Sequence, residues 1–271
     1  NNLQKCRKNI WTIIVMATKS REHPFRKKWG QNFLIDKNLL EKIARTISPE
    51  YSDCFLEIGP GDGSLTELIY PYTSSMIAVE IDPLLVNNLK SKPILNGLDI
   101  IQGDILNINI ESLNINCPVR IIGNIPYNIT SPIIFWLIEQ LEYWDDAYIM
   151  TQKEVADRLI AKINSKDYGR LTVVVGAYLD IEYCFTIKPD VFTPKPKIDS
   201  AILRLTKKDS PLISDDKYIK FNKLVSAAFG QRRKMLRNTL KGWDIPAGLK
   251  KKIDFSRRPE TLTIEEFASL V

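Results

Sequence analysis

The chain has 271 residues, enough for one or two domains and for a buried core without disulfide or metal support. With 38 Lys and Arg against 32 Asp and Glu, its net charge is +6, which is compatible with a polyanionic partner. The one histidine, His23, excludes zinc sites built on several histidines. The four cysteines are far apart in sequence, so we expect free, buried thiols in a reducing compartment. No apolar run reaches the roughly 18 residues that a membrane span requires.

Residues 1–24 are predicted to form a flexible leader in front of a cytoplasmic protein. The first 21 residues carry five basic and no acidic side chains around a short apolar run. The stretch beginning at Met16 resembles an ordinary translation start. A mitochondrial address is the alternative interpretation of the same segment.

From residue 37 onward, helical and strand patterns alternate. Helices are predicted at 38–47, 64–70, 83–90 and 132–141 from their apolar spacing and proline boundaries. Strands are predicted at 54–58, 76–81, 99–101, 119–122 and 147–150. Strands separated by helices in this way predict an α/β fold with a parallel, doubly wound sheet.

The last third of the chain changes character. Two late strands, at 181–187 and 200–205, are predicted to be antiparallel or at the sheet edge. Beyond residue 207 only helical patterns follow, at 215–229, 234–240 and 264–270. We therefore predict a catalytic domain over residues 25–207 and a small α-helical domain over residues 208–271.

Polar features follow four successive strands of the predicted sheet. A glycine loop at 59–63 follows the first, Glu80 ends the second, Asp104 follows the third and Asn124 follows the fourth. Ligands of open α/β sheets bind at the carboxyl ends of strands, where a glycine loop lets the backbone approach a ligand. A carboxylate about 20 residues after the loop is placed to bind a ribose, and Asp104 could accept a hydrogen bond from an adenine amino group. Each feature alone is also typical of an ordinary turn or strand end.

The tetrapeptide Asn124-Ile125-Pro126-Tyr127 is the most diagnostic of these features. Pro126 restricts Ile125 to an extended conformation, so its carbonyl can project beside the Asn124 amide. Those two oxygens can accept both hydrogens of an exocyclic amine, while the Tyr127 ring offers a face to a planar base. After three matching features, this sequence predicts a site for an aromatic amine.

This ordered set resembles the class I S-adenosylmethionine-dependent methyltransferases, which have a Rossmann-like fold, and more closely the rRNA adenine-N6 dimethyltransferase family. Further matching stretches lie at 30–36, 192–201 and 229–234, so the resemblance covers roughly residues 25–271. The small-subunit, ribosome-biogenesis type of the family matches better than the macrolide-resistance type. The implied activity is N6,N6-dimethylation of two adjacent adenosines near the 3′ end of small-subunit rRNA.

The resemblance implies functional residues one by one. Those that would contact S-adenosylmethionine are Asn32, Leu34, Gly59, Gly61, Glu80, Ile81, Asp104, Ile105 and Asn124. Those that would hold the target adenine are Asn124, Ile125, Pro126, Tyr127 and, as a second aromatic wall, Phe192. Basic side chains interpreted as RNA contacts are Lys195, Lys197, Arg232, Arg233 and Lys234. No metal and no membrane are implied, the expected partner is rRNA of the immature small subunit, and a monomer is expected.

Three alternatives stay open. A large-subunit rRNA methyltransferase of the macrolide-resistance type would use the same site on a different RNA. A DNA adenine methyltransferase would share the tetrapeptide chemistry but normally carries a separate DNA-reading domain. A non-catalytic assembly factor or mitochondrial transcription factor could use the same fold, although the intact polar set argues against lost activity.

Overall fold

A computed structural model describes residues 32–115, 117–245 and 247–271. The predicted leader and His23 lie outside these residues. Strands are β1 (Phe33–Leu34), β2 (Cys54–Ile58), β3 (Ser75–Glu80), β4 (Asp99–Gln102), β5 (Val119–Asn124), β6 (Trp144–Gln152), β7 (Leu179–Ile187), β8 (Phe192–Thr193) and β9 (Ser200–Lys207). Helices are α1 (Lys37–Ile47), α2 (Thr66–Ile69), α3 (Pro83–Lys90), α4 (Thr130–Glu139), α5 (Lys153–Leu159), α6 (Arg170–Gly176), α7 (Tyr218–Gly230), α8 (Leu236–Thr239), α9 (Ala247–Lys252) and α10 (Ile264–Ala268). Within the described residues, no helix has the length and apolarity needed to cross a lipid bilayer.

Seven strands form one sheet in the order β4-β3-β2-β5-β6-β9-β7. The first five run parallel, and β9 pairs antiparallel with both β6 and β7. This confirms the predicted parallel, doubly wound sheet with late antiparallel strands. A separate two-stranded sheet pairs β1 with β8.

Successive side chains of the central strands enter hydrophobic clusters on opposite faces of the sheet. Phe55 packs on the face that α1 covers, and Leu56 packs on the face that α4 covers. Helix α1 forms because Asp36 caps its start, accepting a hydrogen bond from the Leu39 amide at 2.9 Å, and because its apolar residues share one face. Covering helices on both faces leave the carboxyl ends of the parallel strands as the accessible edge.

The C-terminal helices extend the same core. Phe221 of α7 and Phe267 of α10 belong to the hydrophobic cluster that contains Leu171 of α6 and Leu203 of β9. An added Cβ at Gly176 would lie 2.6 Å from Cδ1 of Ile264, so α6 and α10 are closely packed. The division of the chain at residue 208 stays a prediction, because apolar packing runs across it without interruption.

Several predicted boundaries are wrong. The helix predicted at 64–70 begins only at Thr66, because the Ser64 amide donates to the Asp62 carboxylate in a turn, and it ends before a 3₁₀ turn at Tyr70–Tyr72. The helix predicted at 234–240 starts at Leu236, whose amide donates to the Arg257 carbonyl.

Helices α5, α6 and α9 and strands β1 and β8 were not predicted. Three consecutive valines in α6, at 173–175, favour a strand by local propensity, yet tertiary packing buries all three in a helix.

The expectation of four separate thiols is wrong for one pair. Cys54, at the start of β2, forms a disulfide with Cys117, which lies two residues before β5, with Cα atoms 6.3 Å apart. Parallel pairing of β2 with β5 brings the two residues together across 63 positions of sequence. Cys184 is a free thiol.

Candidate active site

A cavity of about 300 Å³ opens at the carboxyl ends of the parallel strands. Residues at the ends of β2, β3 and β5 line it, together with Asp104 after β4. Backbone hydrogen bonds between neighbouring strands align these carboxyl ends. The Gly59 amide donates to the Val79 carbonyl, and the Gly103 amide donates to the Glu80 carbonyl. The four polar features predicted to converge from separate strands are therefore neighbours in space.

Glu80 is a buried, pre-oriented carboxylate. Its side chain is 3% exposed, and its two oxygens accept hydrogen bonds from the Gly61 amide at 3.1 Å and the Asp82 amide at 2.9 Å. Burial raises the pKa of Glu80, and these backbone hydrogen bonds oppose the rise. The glycine loop thus holds the carboxylate at the cavity wall, where it can accept hydrogen bonds from a diol.

Glu57, in the strand that leads into the glycine loop, is a second buried acid in the cavity wall and was not predicted as a site residue. It is 2% exposed and accepts a hydrogen bond from the Thr66 hydroxyl at 2.6 Å. Burial, with smaller contributions from neighbouring Glu80 and Asp62, raises the pKa of Glu57 to about 8. Its position two residues before the glycine loop, near the end of a buried strand, was the signal that could have found it.

Asn124 is held with its amide in one orientation. Its Nδ2 donates to the backbone carbonyl of Asn32 at 3.0 Å, so Oδ1 is the end of the amide left to act as acceptor toward the cavity. Next to it, Ile125 is 1% exposed, and its amide donates to the Met150 carbonyl at 3.3 Å. These bonds fix the backbone from which both predicted acceptor oxygens project.

Tyr127, which follows β5, is positioned by β9, two strands away in the sheet. Its hydroxyl lies 2.8 Å from Oγ of Ser200, the fully buried first residue of β9. Burial raises the pKa of Tyr127, and the Ser200 hydrogen bond opposes that rise. With its hydroxyl tethered, the ring lines the cavity in a single position.

The pairing of β1 with β8 brings the N-terminal segment over the glycine loop. Leu34 pairs with Phe192, and an added Cβ at Gly61 would lie 3.1 Å from Cε1 of Phe33. Asn32, Phe33 and Leu34 all line the cavity as a result. Phe33, which was not predicted, thus packs directly on the loop.

Twelve of the thirteen predicted cofactor and catalytic residues line the cavity, and Phe192 does not. The twelve are Asn32, Leu34, Gly59, Gly61, Glu80, Ile81, Asp104, Ile105, Asn124, Ile125, Pro126 and Tyr127. Phe192 is 3% exposed and belongs to a hydrophobic cluster with Leu34 and Leu40. In this conformation it supports Leu34 from behind, and its role as an aromatic wall stays a prediction.

The predicted RNA-contacting side chains lie outside the cavity and differ in their surroundings. Arg233, Lys234 and Lys197 are exposed, and the exposed Lys195 pairs with Asp190. Arg232 instead donates from Nη2 to the Ser165 carbonyl at 2.7 Å and from Nη1 to the Lys166 carbonyl. Arg232 thereby ties the turn after α7 to the loop between α5 and α6.

The cavity suits a cationic nucleoside ligand. Four acidic residues line it, namely Glu57, Asp62, Glu80 and Asp104, and of these Glu57 is largely protonated at neutral pH. Gly59 has φ +65°, and the nearest neighbour of an added Cβ would be the Asn124 carbonyl oxygen at 4.0 Å, so the missing side chain leaves room beside the target site. These features fit S-adenosylmethionine, which combines a ribose and an adenine with a positively charged sulfonium.

An open α/β sheet with such a cavity defines a class I S-adenosylmethionine-dependent methyltransferase. The family model described as "Ribosomal RNA adenine dimethylase" matches residues 22–271. The chain is 39% identical over 251 residues to "Ribosomal RNA small subunit methyltransferase A" of Leptothrix cholodnii, covering 92% of this chain and 91% of that protein. This chain belongs to the ribosomal RNA adenine dimethylase family.

Solved structures agree with this fold. A dimethyladenosine transferase from Plasmodium falciparum superposes with a TM-score of 0.76 at 26% identity, covering 88% of this chain and 95% of that one. The 23S rRNA methyltransferase ErmE superposes with a TM-score of 0.66 at 27% identity, covering 88% of this chain and 97% of that one.

Proposed function

We propose that this protein transfers methyl groups from S-adenosylmethionine to N6 of two adjacent adenosines near the 3′ end of small-subunit rRNA, dimethylating each during ribosome biogenesis. The observation that carries the proposal is the Asn124 amide, held by the Asn32 carbonyl at the edge of the acid-lined cavity. Relatives named as small-subunit rRNA methyltransferases, at about 39% identity, favour this substrate over the large-subunit rRNA of ErmE, at 27%.

The chain's own residues would bind and orient both substrates. Glu80 would accept hydrogen bonds from the ribose hydroxyls and Asp104 from the adenine amino group, with Ile81 and Ile105 packing beside them. Asn32 and Leu34, joined to β8 through the β1 pairing, would close over the donor. When bound, S-adenosylmethionine supplies a methyl group already activated by its sulfonium leaving group.

Asn124 and Ile125 would activate the acceptor by positioning it. The N6 lone pair of adenine is delocalised into the ring, so the amine is a poor nucleophile. Hydrogen bonds from both N–H groups to Oδ1 of Asn124 and the Ile125 carbonyl favour a pyramidal, more reactive nitrogen. Stacking on Tyr127 would repay part of the few kcal/mol needed to take the base out of its stack. The contribution is orientation and electrostatics rather than a general base.

RNA would contact the basic side chains outside the cavity. Arg233, Lys234, Lys195 and Lys197 are exposed and suited to phosphate contacts, which give binding its salt dependence. Arg232 would contribute mainly through the loop it holds. A cytoplasmic location and a monomeric state belong to this proposal, and the relatives found lend no support to the mitochondrial alternative.

A side-by-side methylation assay tests the proposal. Labelled S-adenosylmethionine is incubated with immature small subunits and, separately, with large subunits that lack their modifications. We expect label in the small subunit only, recovered as two N6,N6-dimethyladenosines near the rRNA 3′ end. Label in large-subunit RNA would move the protein to the resistance type. Binding of S-adenosylhomocysteine without transfer to either particle would favour a non-catalytic factor.

A further inference from the structure

Lys92, in the turn that follows α3, reaches behind the glycine loop. Its Nζ donates to the backbone carbonyl of Asp62 and to Oε1 of Glu67 in α2, both at 2.5 Å. The Lys92 side chain is 25% exposed and that of Glu67 is 12% exposed, so the ion pair is partly withdrawn from water. Hydrogen bonds with a charged partner in such surroundings are stronger than neutral ones. The Lys92 ammonium group thus joins three segments: the turn after α3, the glycine loop and α2.

The peptide between Asp62 and Gly63 is held at both of its ends. Its carbonyl accepts from Lys92, and its N–H donates to the Pro60 carbonyl at 2.9 Å. Gly63 has φ +83°, and an added Cβ there would lie 2.6 Å from Cδ2 of Leu89, so the loop has little space on this side. The orientation of this peptide therefore depends on the Lys92 contact.

The same loop organises the cavity. Asp62 lines the cavity wall, and the neighbouring Gly61 amide donates to the Glu80 carboxylate. Lys92 is not among the residues that line the cavity. A change at Lys92 would thus reach the cavity only through the loop.

We propose that Lys92 is a positioning residue for the cofactor: by holding the Asp62 carbonyl from behind, it fixes the glycine loop in the conformation that binds S-adenosylmethionine. This inference rests on the proposed placement of the cofactor against Glu80 and the glycine loop. Lys92 acts on binding and not on methyl transfer, because Asn124, Ile125 and Tyr127 are held by other contacts.

The test separates the loop contact from the ion pair. Glu67→Gln keeps the Lys92 contact with the loop, whereas Lys92→Met combined with Glu67→Gln removes that contact without leaving an unpaired buried carboxylate. Lys90→Met, at the exposed last residue of α3, is the matched control for loss of one positive charge. S-adenosylhomocysteine affinity is measured by calorimetry on the full chain, and kcat and KM for S-adenosylmethionine are measured with saturating small subunits.

We expect the double variant to bind S-adenosylhomocysteine about tenfold more weakly, the scale of one lost charge-assisted hydrogen bond. Its KM for S-adenosylmethionine should rise in parallel, with kcat within about twofold of wild type. Glu67→Gln and Lys90→Met should keep wild-type affinity. Equal affinities in Glu67→Gln and the double variant would overturn the inference. A kcat in the double variant that falls below the expected range would also overturn it.

Glu80→Ala in the same titration distinguishes this inference from the proposed function. Weak binding by Glu80→Ala with unchanged binding by the double variant would overturn only the role of Lys92. Wild-type binding by Glu80→Ala would overturn the placement of the cofactor itself.

Discussion

Asn124 illustrates how much of this site depends on the orientation of single side chains. An asparagine amide has a donor end and an acceptor end, and only the acceptor end can bind an N–H group of the target base. The Asn32 carbonyl selects the orientation by taking the donor end. A residue near the N-terminal end of the described chain thus sets the polarity of a group 92 positions later.

Replacing Asn124 with Ala should therefore impair methyl transfer more strongly than cofactor binding. We expect kcat to fall by about 10²–10³-fold, as when one preorganised hydrogen-bonding group is removed from other active sites, while S-adenosylhomocysteine binding survives at least in part. Single-turnover methylation and calorimetry measure the two effects. Asn96→Ala, exposed and outside the cavity, is the control. Undiminished turnover in Asn124→Ala would remove this residue from the mechanism.

Glu57 makes the stability of the protein depend on pH. Its folded-state pKa of about 8 lies above the ordinary value of 4.5, so between these two pH values the folded state keeps a proton that the unfolded state has released. The free energy of unfolding therefore falls as the pH rises through this window, with a limiting slope of about 1.4 kcal/mol per pH unit.

The variant Glu57→Gln cannot ionise and should remove this part of the pH dependence. Its stability relative to wild type should increase by about 1–3 kcal/mol between pH 5.5 and pH 8, as measured by urea unfolding without cofactor. Glu142→Gln, at an exposed position, serves as the control. A difference between Glu57→Gln and wild type that stays constant over this pH range would contradict the expectation.

At the scale of elements, the contact between α6 and α10 sets how closely the C-terminal helices approach the sheet. Gly176, the last residue of α6, faces Ile264, the first residue of α10, with no room for a further carbon atom. Because α6 is itself packed in the core, a larger residue at position 176 would push α10 outward.

Gly176→Val should therefore lower the free energy of unfolding by about 1–3 kcal/mol through overpacking. Ile264→Ala alone should also destabilise the protein, by leaving a cavity. Combined, the two changes should compensate by about 1 kcal/mol or more, because Ile264→Ala frees the space that the larger side chain of Gly176→Val occupies. Urea unfolding of the four proteins measures this coupling, and strictly additive effects would show that the two side chains do not compete for space.

At the scale of the whole molecule, the shared hydrophobic cluster joins the helical region to the sheet. Trp136 and Trp144 are buried in this cluster, and Trp243 of the helical region packs against it. Regions that share a core lose each other's packing when either unfolds. The two parts should therefore behave as one cooperative unit.

We expect a single unfolding transition in urea. Far-UV circular dichroism and the fluorescence difference between wild type and Trp243→Phe should have the same midpoint, since the first reports the whole chain and the second the helical region. Two separated midpoints would show that the helical region unfolds independently despite the shared packing.

Local pattern predicted the parallel sheet and the four polar features at its strand ends, whereas residues such as Asn32 and Leu34 were predicted from the family resemblance. Buried strands and amphipathic helices are encoded by hydrophobic periodicity, and strand ends in a parallel sheet necessarily meet at one edge. This is why Gly59, Glu80, Asp104 and Asn124, which are far apart in sequence, could be predicted as neighbours. Phe33 carried no periodic signal and was missed.

The sequence by itself thus determined the order of the parallel strands and of helices α1 to α4, the polar residues at the strand ends and the resemblance to the family. Only the tertiary structure decided which side chains hold those residues: Asn32 for Asn124, Ser200 for Tyr127 and, as we propose, Lys92 for the glycine loop. It also decided that Phe192 is buried behind Leu34, that Arg232 binds a neighbouring loop and that Cys54 pairs with Cys117. The physical reason is that periodicity records which face of an element is buried, whereas a contact between distant segments depends on the register and packing of the finished fold.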